Sequence, residues 1–296
     1  MRRADVCAGV TAYFPDGAFE ERLKAIADQV ELVIVVDNSP ADFGAGRHFP
    51  DNVEVHSNMN QGGMAGALNI AMRRARELGF KYFVTFDQDS TVPNDLVEKL
   101  IDASIAMSAA IVGPNFRNAA TKAPGRFYLS SRRLRSPIRW FPRAEGFHEA
   151  LVVITSGMLI DLQALPVEVK YREQLLVDFV DIDFCLKARA MGLKIAVNTD
   201  ISMSHGLGNK AQDSWRFSSA RYGAPRRYLA TRNRIIVWRE HYLKYPGFVG
   251  SDIFVAIADM LRTLLLEPEK LKTLRAFYSG AREGFRMARR SSERAE

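Results

Sequence analysis

Asp87, Gln88, Asp89, Ser90 and Thr91 follow directly on the apolar run Tyr82–Phe86 in the stretch YFVTFDQDST. Two carboxylates at the mouth of a buried strand lose hydration and repel each other unless a cation or a proton joins them. Two chemistries use such a pair. In one, Asp-x-Asp holds a divalent cation against the diphosphate of an activated substrate. In the other, Asp-x-Asp-x-Thr offers its first carboxylate, here Asp87, as a nucleophile towards a phosphate ester. Asp87, Asp89 and Thr91 satisfy both spacings, so the motif alone does not choose. A second acidic cluster, DFVDIDFC, brings Asp178, Asp181 and Asp183. Acids in a first helical turn are also favoured by the helix dipole, which is the plainer account of them. His205 closes the segment NTDISMSH and on its own reads as an ordinary loop histidine.

Strands and helices alternate over the first 115 residues. VCAGVTAYF, ELVIVVD, NVEVH, YFVTF and AIVGPNF have strand character. Between them, NQGGMAGALNIAMRRARELGF places Met64, Leu68, Ala71, Met72, Ala75 and Leu78 on one helical face. Asn60 and the Gly62-Gly63 pair mark the start of that helix, with Asn60 a candidate cap, and Gly79 marks its end. The alternation predicts an α/β fold with a mostly parallel sheet and helices on both faces. Residues 117–147 are basic and aperiodic, and EALVVITSGMLI resumes as one strand. DFVDIDFCLKARAMGL starts a helix, and KIAVN is a strand. After His205 the chain turns helical. We expect a catalytic domain over 1–205 and a basic helical extension over 206–296 that completes the acceptor side. In such sheets ligands bind at the carboxyl ends of the strands, and Thr11, Tyr13, Asp37, Asn38, Asp87 and Asp89 all fall there.

Hydrophobic residues make up 47% and charged residues 25% of the 296, which excludes disordered and collagen-like classes. Cys7 and Cys185 each lie in an apolar run and predict buried reduced thiols in a cytoplasmic protein. The N-terminal segment lacks the features of a signal peptide, and no stretch reads as a membrane span. Residues 1–204 carry 23 Lys and Arg against 25 Asp and Glu, whereas residues 205–296 carry 18 against 9. The positive excess therefore lies in the last third. It suits an anionic partner, and with Trp238, Tyr242, Phe248 and Phe254 interleaved it predicts peripheral contact with the inner face of an anionic membrane.

The ordered series VTAYFPD, VVDNSP, NQGGMAGALNIAMRRA, FDQDS, TSGMLI and DFVDIDFCLKARAMG resembles the family 2 glycosyltransferases, most closely bacterial rhamnosyltransferases of surface polysaccharides. The resemblance spans roughly residues 5 to 240. It implies a GT-A (Rossmann-like) fold, a nucleotide-sugar donor, a divalent cation (Mg²⁺ or Mn²⁺) and inversion at the anomeric carbon. It also implies that Thr11 and Tyr13 line the nucleobase pocket, and that Asp37 accepts the imide N–H of uracil or thymine, which suits UDP or dTDP. Asn60, Gly63 and Asn69 match the family's donor-side pattern. Asp89, with Asp87 and His205, is implied to hold the metal, and Asp87 to meet the donor. Asp181 is implied as the general base, with Asp183 and Gly157 on the acceptor side and Asp178 in reserve. RRYLATRNRIIVWRE resembles a Tyr/Arg-Asn segment, leaving Arg227, Arg232 and Arg234 as diphosphate or acceptor contacts or as a solvated face.

Two other classes compete. A phosphatase of the haloacid dehalogenase type would use Asp87 as nucleophile, but its motif ends the first strand, and two strand–helix units precede Asp87. A basic, non-enzymatic nucleic-acid module fits the sequence pI of about 9.5, yet carries no recognised binding motif, and the acids would repel a phosphate backbone. The expected activity is inverting transfer of L-rhamnose from dTDP-rhamnose to a hydroxyl of a surface or lipid-linked glycan, with no nucleic-acid partner.

Overall fold

The computed structural model describes residues 5–40, 47–118, 127–128, 139–140, 145–205, 223–266 and 269–292. In chain order the elements are β1 (Val6–Ala12), α1 (Phe19–Ala27), β2 (Leu32–Asp37), β3 (Val53–Ser57), α2 (Gly63–Glu77), β4 (Tyr82–Asp87), α3 (Leu96–Met107) and β5 (Ile111–Asn118). They continue with β6 (Phe127–Tyr128), β7 (Arg139–Trp140), β8 (Phe147–Glu149), β9 (Met158–Asp161), a single 3₁₀ turn (Glu173–Leu175), α4 (Val180–Ala190) and β10 (Ile195–His205). Helices α5 (Ala224–His241), α6 (Pro246–Leu266) and α7 (Lys270–Ser292) follow.

Eight strands form one sheet in the order β3-β2-β1-β4-β9-β5-β10-β8, and β6 pairs with β7 separately. β3, β2, β1 and β4 run parallel to one another, as do β5 and β10. β9 runs antiparallel between β4 and β5, and β8 runs antiparallel on β10. Six of the eight strands thus share one direction, as a mostly parallel sheet requires, and β8 and β9 make it mixed. The segment expected to be one strand, EALVVITSGMLI, splits into the end of β8, a crossing stretch and the reversed β9.

Strand periodicity explains the two cores. Val6, Ala8, Val10, Val33, Val35, Tyr82, Val84 and Phe86 point to the face covered by α1 and α3, with Phe19, Leu23, Leu96 and Leu100. Cys7, Ile34, Val36 and Phe83 point to the other face and meet Leu68 and Ala71 of α2, Phe184 of α4 and Val237 of α5. A large side chain such as Phe83, fully buried, is worth about 1.5–3 kcal/mol relative to exposure. Ile236, Val237, Phe248 and Val249 join this second core, so the first C-terminal helices share the packing of the sheet. Burial pushes the Cys7 thiol up to about 12 and the Cys185 thiol higher still, which leaves both neutral and unreactive.

Candidate active site

Parallel pairing sets the first half of the site. Thr11 lies beside Asp87 across β1 and β4, and Ala12 beside Asp37 across β1 and β2. The tip of β4 is then stapled by the residues between and beyond its acids. The Gln88 side-chain oxygen accepts the Tyr13 amide at 2.6 Å, and the Gln88 carbonyl accepts Arg22 Nε at 2.9 Å. Ser90 Oγ accepts the Asp87 amide at 3.1 Å and bonds Ser156 Oγ at 2.5 Å. With Gln88 and Ser90 so used, Asp87 is left partly exposed and Asp89 exposed at the strand end. Loss of hydration, and then the charge of Asp89, pushes Asp87 up to about 6.

The second half is the start of α4. Leu176, Asp178 and Phe179 have φ of 63°, 54° and 66°, a strained left-handed run for non-glycine residues. The run is held from two sides. The Asn233 side-chain amide on α5 donates to the carbonyls of Leu175 (2.7 Å), Val177 (2.6 Å) and Asp178 (3.0 Å). Arg232 Nη2 donates to the Gln174 carbonyl at 2.7 Å, and Arg226 forms a two-pronged pair with Asp178. From the other side, the Leu176 carbonyl accepts the Met64 amide at 2.8 Å and the Ala65 amide at 3.4 Å, and so caps α2. A Cβ on Gly63 would sit 2.6 Å from that carbonyl oxygen, so the close approach requires glycine there.

Asp181 emerges from this loop partly exposed, with one oxygen on the Ile182 amide at 2.8 Å. Burial first, then the charges of Asp87 and Asp178, push it up to about 6, while the Ile182 amide opposes them. The β4 acids and the α4 acid therefore interact. Further round the first turn of α4, Asp183 is fully buried and paired with Lys187 (2.7 Å), His241 (3.0 Å) and Arg172 (3.1 Å). An ionised carboxylate has no proton to give, so the His241 ring N–H donates. Burial raises this carboxyl, yet His241, Lys187 and Arg172 together outweigh it and hold it well below the usual range.

Several expected positions lie elsewhere than at the crevice surface. Asp183, expected to orient an acceptor, sits in the core and joins α4 to α5. Gly157, at φ +80°, is enclosed by Met203 and Pro114 and donates its amide to the Thr85 carbonyl at 2.7 Å. The Asn69 side chain grips the Tyr171 backbone in both directions and donates to Glu173. Asp37 is buried, with one oxygen on the Ser39 amide at 2.8 Å, as a turn-forming Asp would be. Tyr13 is half exposed. Asn60 adopts φ 58° and accepts the Gly63 amide through its carbonyl. The N-cap residue of α2 is Gly62, without a side-chain cap, so the cap expected of Asn60 comes from Leu176 instead. Arg227 bonds Thr263 and faces Phe277, and Arg234 pairs with Asp252 over the Phe179 ring. With Arg232 they tie helices and loop together and are buried or partly buried, not a solvated face. The backbone of His205 closes β10, and its side chain lies outside the described residues, as do residues 206–222 and most of 119–144. Among the described residues no three His, Cys, Asp or Glu form a ready metal cluster.

Sequence reasoning missed Asn233, Arg226 and His241. The one signal was Asn233 itself, a poor helix former in mid-helix just before the apolar Ile235-Ile236-Val237.

This sheet order, with Asp-x-Asp ending the fourth strand, defines a nucleotide-sugar enzyme of the GT-A type. The description Glycosyl transferase family 2 matches residues 9–159, just over half of the chain, and the chain belongs to that family: it is a glycosyltransferase. Over 277 residues it is 25% identical to the dTDP-rhamnosyl transferase RfbF of Shigella flexneri, covering 91% of this chain and 90% of that one. The crystal structure of S. aureus TarS aligns with a TM-score of 0.52 at 14% identity over 89% of this chain. GalNAc-T7 with UDP, GalNAc and Mn²⁺ aligns at 0.59 and 11% over 83%. The chain spans 44% and 49% of those two structures, and at such identities they establish the fold. Neither the phosphatase nor the nucleic-acid alternative finds support.

Proposed function

We propose that this glycosyltransferase moves L-rhamnose from dTDP-rhamnose, with inversion, to a hydroxyl of a cell-surface or lipid-linked glycan. The donor follows the relative named a dTDP-rhamnosyl transferase, which aligns along nine-tenths of both chains. What supports the mechanism is the placement of Asp87 at the end of β4 and of Asp181 in the first turn of α4, with the charge of Asp87 among those that raise Asp181. Inversion needs a base on the face of the sugar opposite the departing diphosphate, and two acidic strand and helix ends meeting in one crevice supply the two sides.

In this reading Thr11 and Tyr13 flank the base, with Asp37 ordering the turn behind them. Gly63 and Asn69 shape the wall beside the donor, and Asn60 borders it. Asp181 takes the acceptor proton. A carboxyl raised to about 6 is still ionised at neutral pH, yet is a stronger base than an ordinary aspartate. Asp178, paired with Arg226, and Asp183, paired in the core, set its position. Asp87 and Asp89 fit a hard cation: both are oxygen donors, and burial and the charge of Asp89 push Asp87 up. Two protein carboxylates leave the remaining ligand positions to diphosphate oxygens and water, which suits Mg²⁺ or Mn²⁺, with His205 the candidate nitrogen ligand. Once bound, a divalent cation offsets the charge growing on the leaving diphosphate. The domain division at 205–206 and the inner-membrane location belong to the same proposal.

Transfer and hydrolysis assays over a panel of dTDP- and UDP-sugars, with and without chelator, test it. Turnover is expected with dTDP-rhamnose and to stop in chelator. A preference for a UDP-hexose would overturn the donor, and full turnover in chelator would overturn the metal.

A further inference from the structure

The last three helices leave more apolar surface uncovered than any other part of the described chain. Eleven of the nineteen exposed large apolar residues lie between Tyr242 and Phe285, about a seventh of the length. The interleaved aromatics expected to meet a membrane are only partly among them. Phe248 is in the core and Trp238 donates to Asp252, whereas Tyr242 and Phe254 are exposed.

Helix α7 shows why these residues are outside. At about 100° per residue, Thr273, Ala276, Gly280, Gly284 and Ala288 share one face, and all five are buried. Gly280 and Gly284 approach the Tyr228 and Arg232 carbonyls of α5 so closely that a Cβ would lie 2.5 and 2.7 Å from them. The helix is thus seated through its small residues. Leu271, Leu274, Tyr278 and Phe285 occupy the opposite face, within an arc of about 60°, and are 73%, 39%, 72% and 50% exposed. Arg275, Arg282 and Arg286 run along one edge of this stripe, in a helix with seven Lys or Arg against one Glu. On α6, Ile253, Phe254, Ile257, Leu261 and Leu265 form a second exposed stripe about 120° wide with no charged residue inside it. Among the described residues no helix is long and apolar enough to cross a membrane.

We propose that α6 and α7 form a docking surface for an anionic lipid bilayer, on which the protein lies with these stripes among the acyl chains and the arginine edge at the headgroups. The charge pattern selects this occupant. A large apolar stripe bordered by cations matches the boundary between acyl chains and anionic headgroups. A second copy paired antiparallel across this face would bring Arg275 and Arg282 of both copies together, while Glu283, the one acid of the helix, is already paired with its own Arg286. The inference is independent of the donor and of the base, because it concerns neither.

Sedimentation of the full-length protein with vesicles of phosphatidylcholine, alone or mixed with phosphatidylglycerol, tests it. Binding to the mixed vesicles is expected, weaker on neutral ones, and reduced at 1 M salt, where the Debye length is about 3 Å. Leu271→Ser with Tyr278→Ser, and separately Ile257→Ser with Leu261→Ser, should each weaken binding by at least about tenfold. Arg275→Gln and Arg282→Gln should cost about fivefold apiece. Each of these residues is solvent-exposed, and an unchanged thermal midpoint confirms that a variant is folded. No binding to mixed vesicles, equal binding to neutral ones, or folded variants that bind like the parent would overturn the proposal. So would a concentration-dependent dimer in sedimentation velocity that the same substitutions dissolve, since the face would then belong to a second copy.

Discussion

Asp181 and Asp183 stand two residues apart in the same helical turn, and their surroundings push them in opposite directions. Asp181 is partly exposed at the start of α4, where burial and the charges of Asp87 and Asp178 raise its carboxyl to about 6. Asp183 looks into the core, where Arg172, Lys187 and His241 close on it and hold it ionised. The difference teaches that one acidic motif can serve two ends. The acid on the core side fixes the helix, and the acid on the open side, raised by burial and by neighbouring carboxylates, is the one proposed to act.

The sharpest way to break that comparison is Asp181→Asn. Transfer should fall by about 10²–10⁴-fold, the range for loss of a general base, while calorimetry shows donor affinity unchanged. Its stability should hold or rise slightly, because a repulsion with Asp87 is relieved. A variant that still transfers at near the parental rate would remove Asp181 from the chemistry. Asp183→Asn should do the reverse. It strands three cationic or polar partners in the core and should cost about 3–5 kcal/mol in urea unfolding. Retained stability would mean that the buried network carries little.

Asn233→Ala sharpens the contrast, since Asn233 touches neither acid but holds the loop between them and α2. Leaving buried carbonyls unpaired should cost about 1–3 kcal/mol, and the rate should fall more than donor KM changes. Asn233→Asp, of similar shape without the two donors, should behave as badly; rescue by Asp would argue for a mere packing role.

The smallest effect is the dependence on pH. Activity should rise as pH passes through about 6, where Asp181 ionises, and level off above. For stability the signs differ between the two sides. Asp87 and Asp181 hold protons in the folded chain that the unfolded chain has released from 3.8 upward, so their contribution declines as pH rises from there to about 6. Asp183 does the opposite: its contribution is in place above 3.8 and is lost as pH falls through its lowered folded value. Urea midpoints of Asp181→Asn and Asp183→Asn across that window separate the two slopes; parallel profiles would mean that the acids are not differently placed.

The sheet was legible in the sequence wherever one face differs from the other. The alternation in VCAGVTA and YFVTFD sorts Cys7 and Phe83 from Val6 and Tyr82, and β1, β2, β4, α2 and α3 follow with ends shifted by a residue or two. Strand direction was not legible. Met158–Ile160 is apolar on both faces in either orientation, and the turn before it, at Thr155–Gly157, is held by Thr85 and Ser90. The crevice acids were legible because two carboxylates closing an apolar strand lose hydration with no cation nearby in the chain to offset it. Asp183 was not, because apart from Lys187 on its own helix its partners come from eleven residues before it and 58 after. The same distance hid the roles of Asn233 and of Arg227, Arg232 and Arg234 on α5, whose types suggest phosphate and whose partners include backbone carbonyls, Asp252 and Thr263.

The Leu176 carbonyl that closes the first turn of α2 bears on how such enzymes can be recombined. The donor-side helix takes its cap from a loop more than a hundred residues later in the chain, and Gly63 is the position that lets the two backbones meet. A chimera that exchanges the first hundred residues with a relative, to change the nucleotide accepted, would therefore import a helix start fitted to a different loop. A working exchange has to carry residues 171–179 and the Asn233 side chain along with β1 to α2. The structural unit that sets the start of α2 is discontinuous in this chain, and a single crossover point does not contain it.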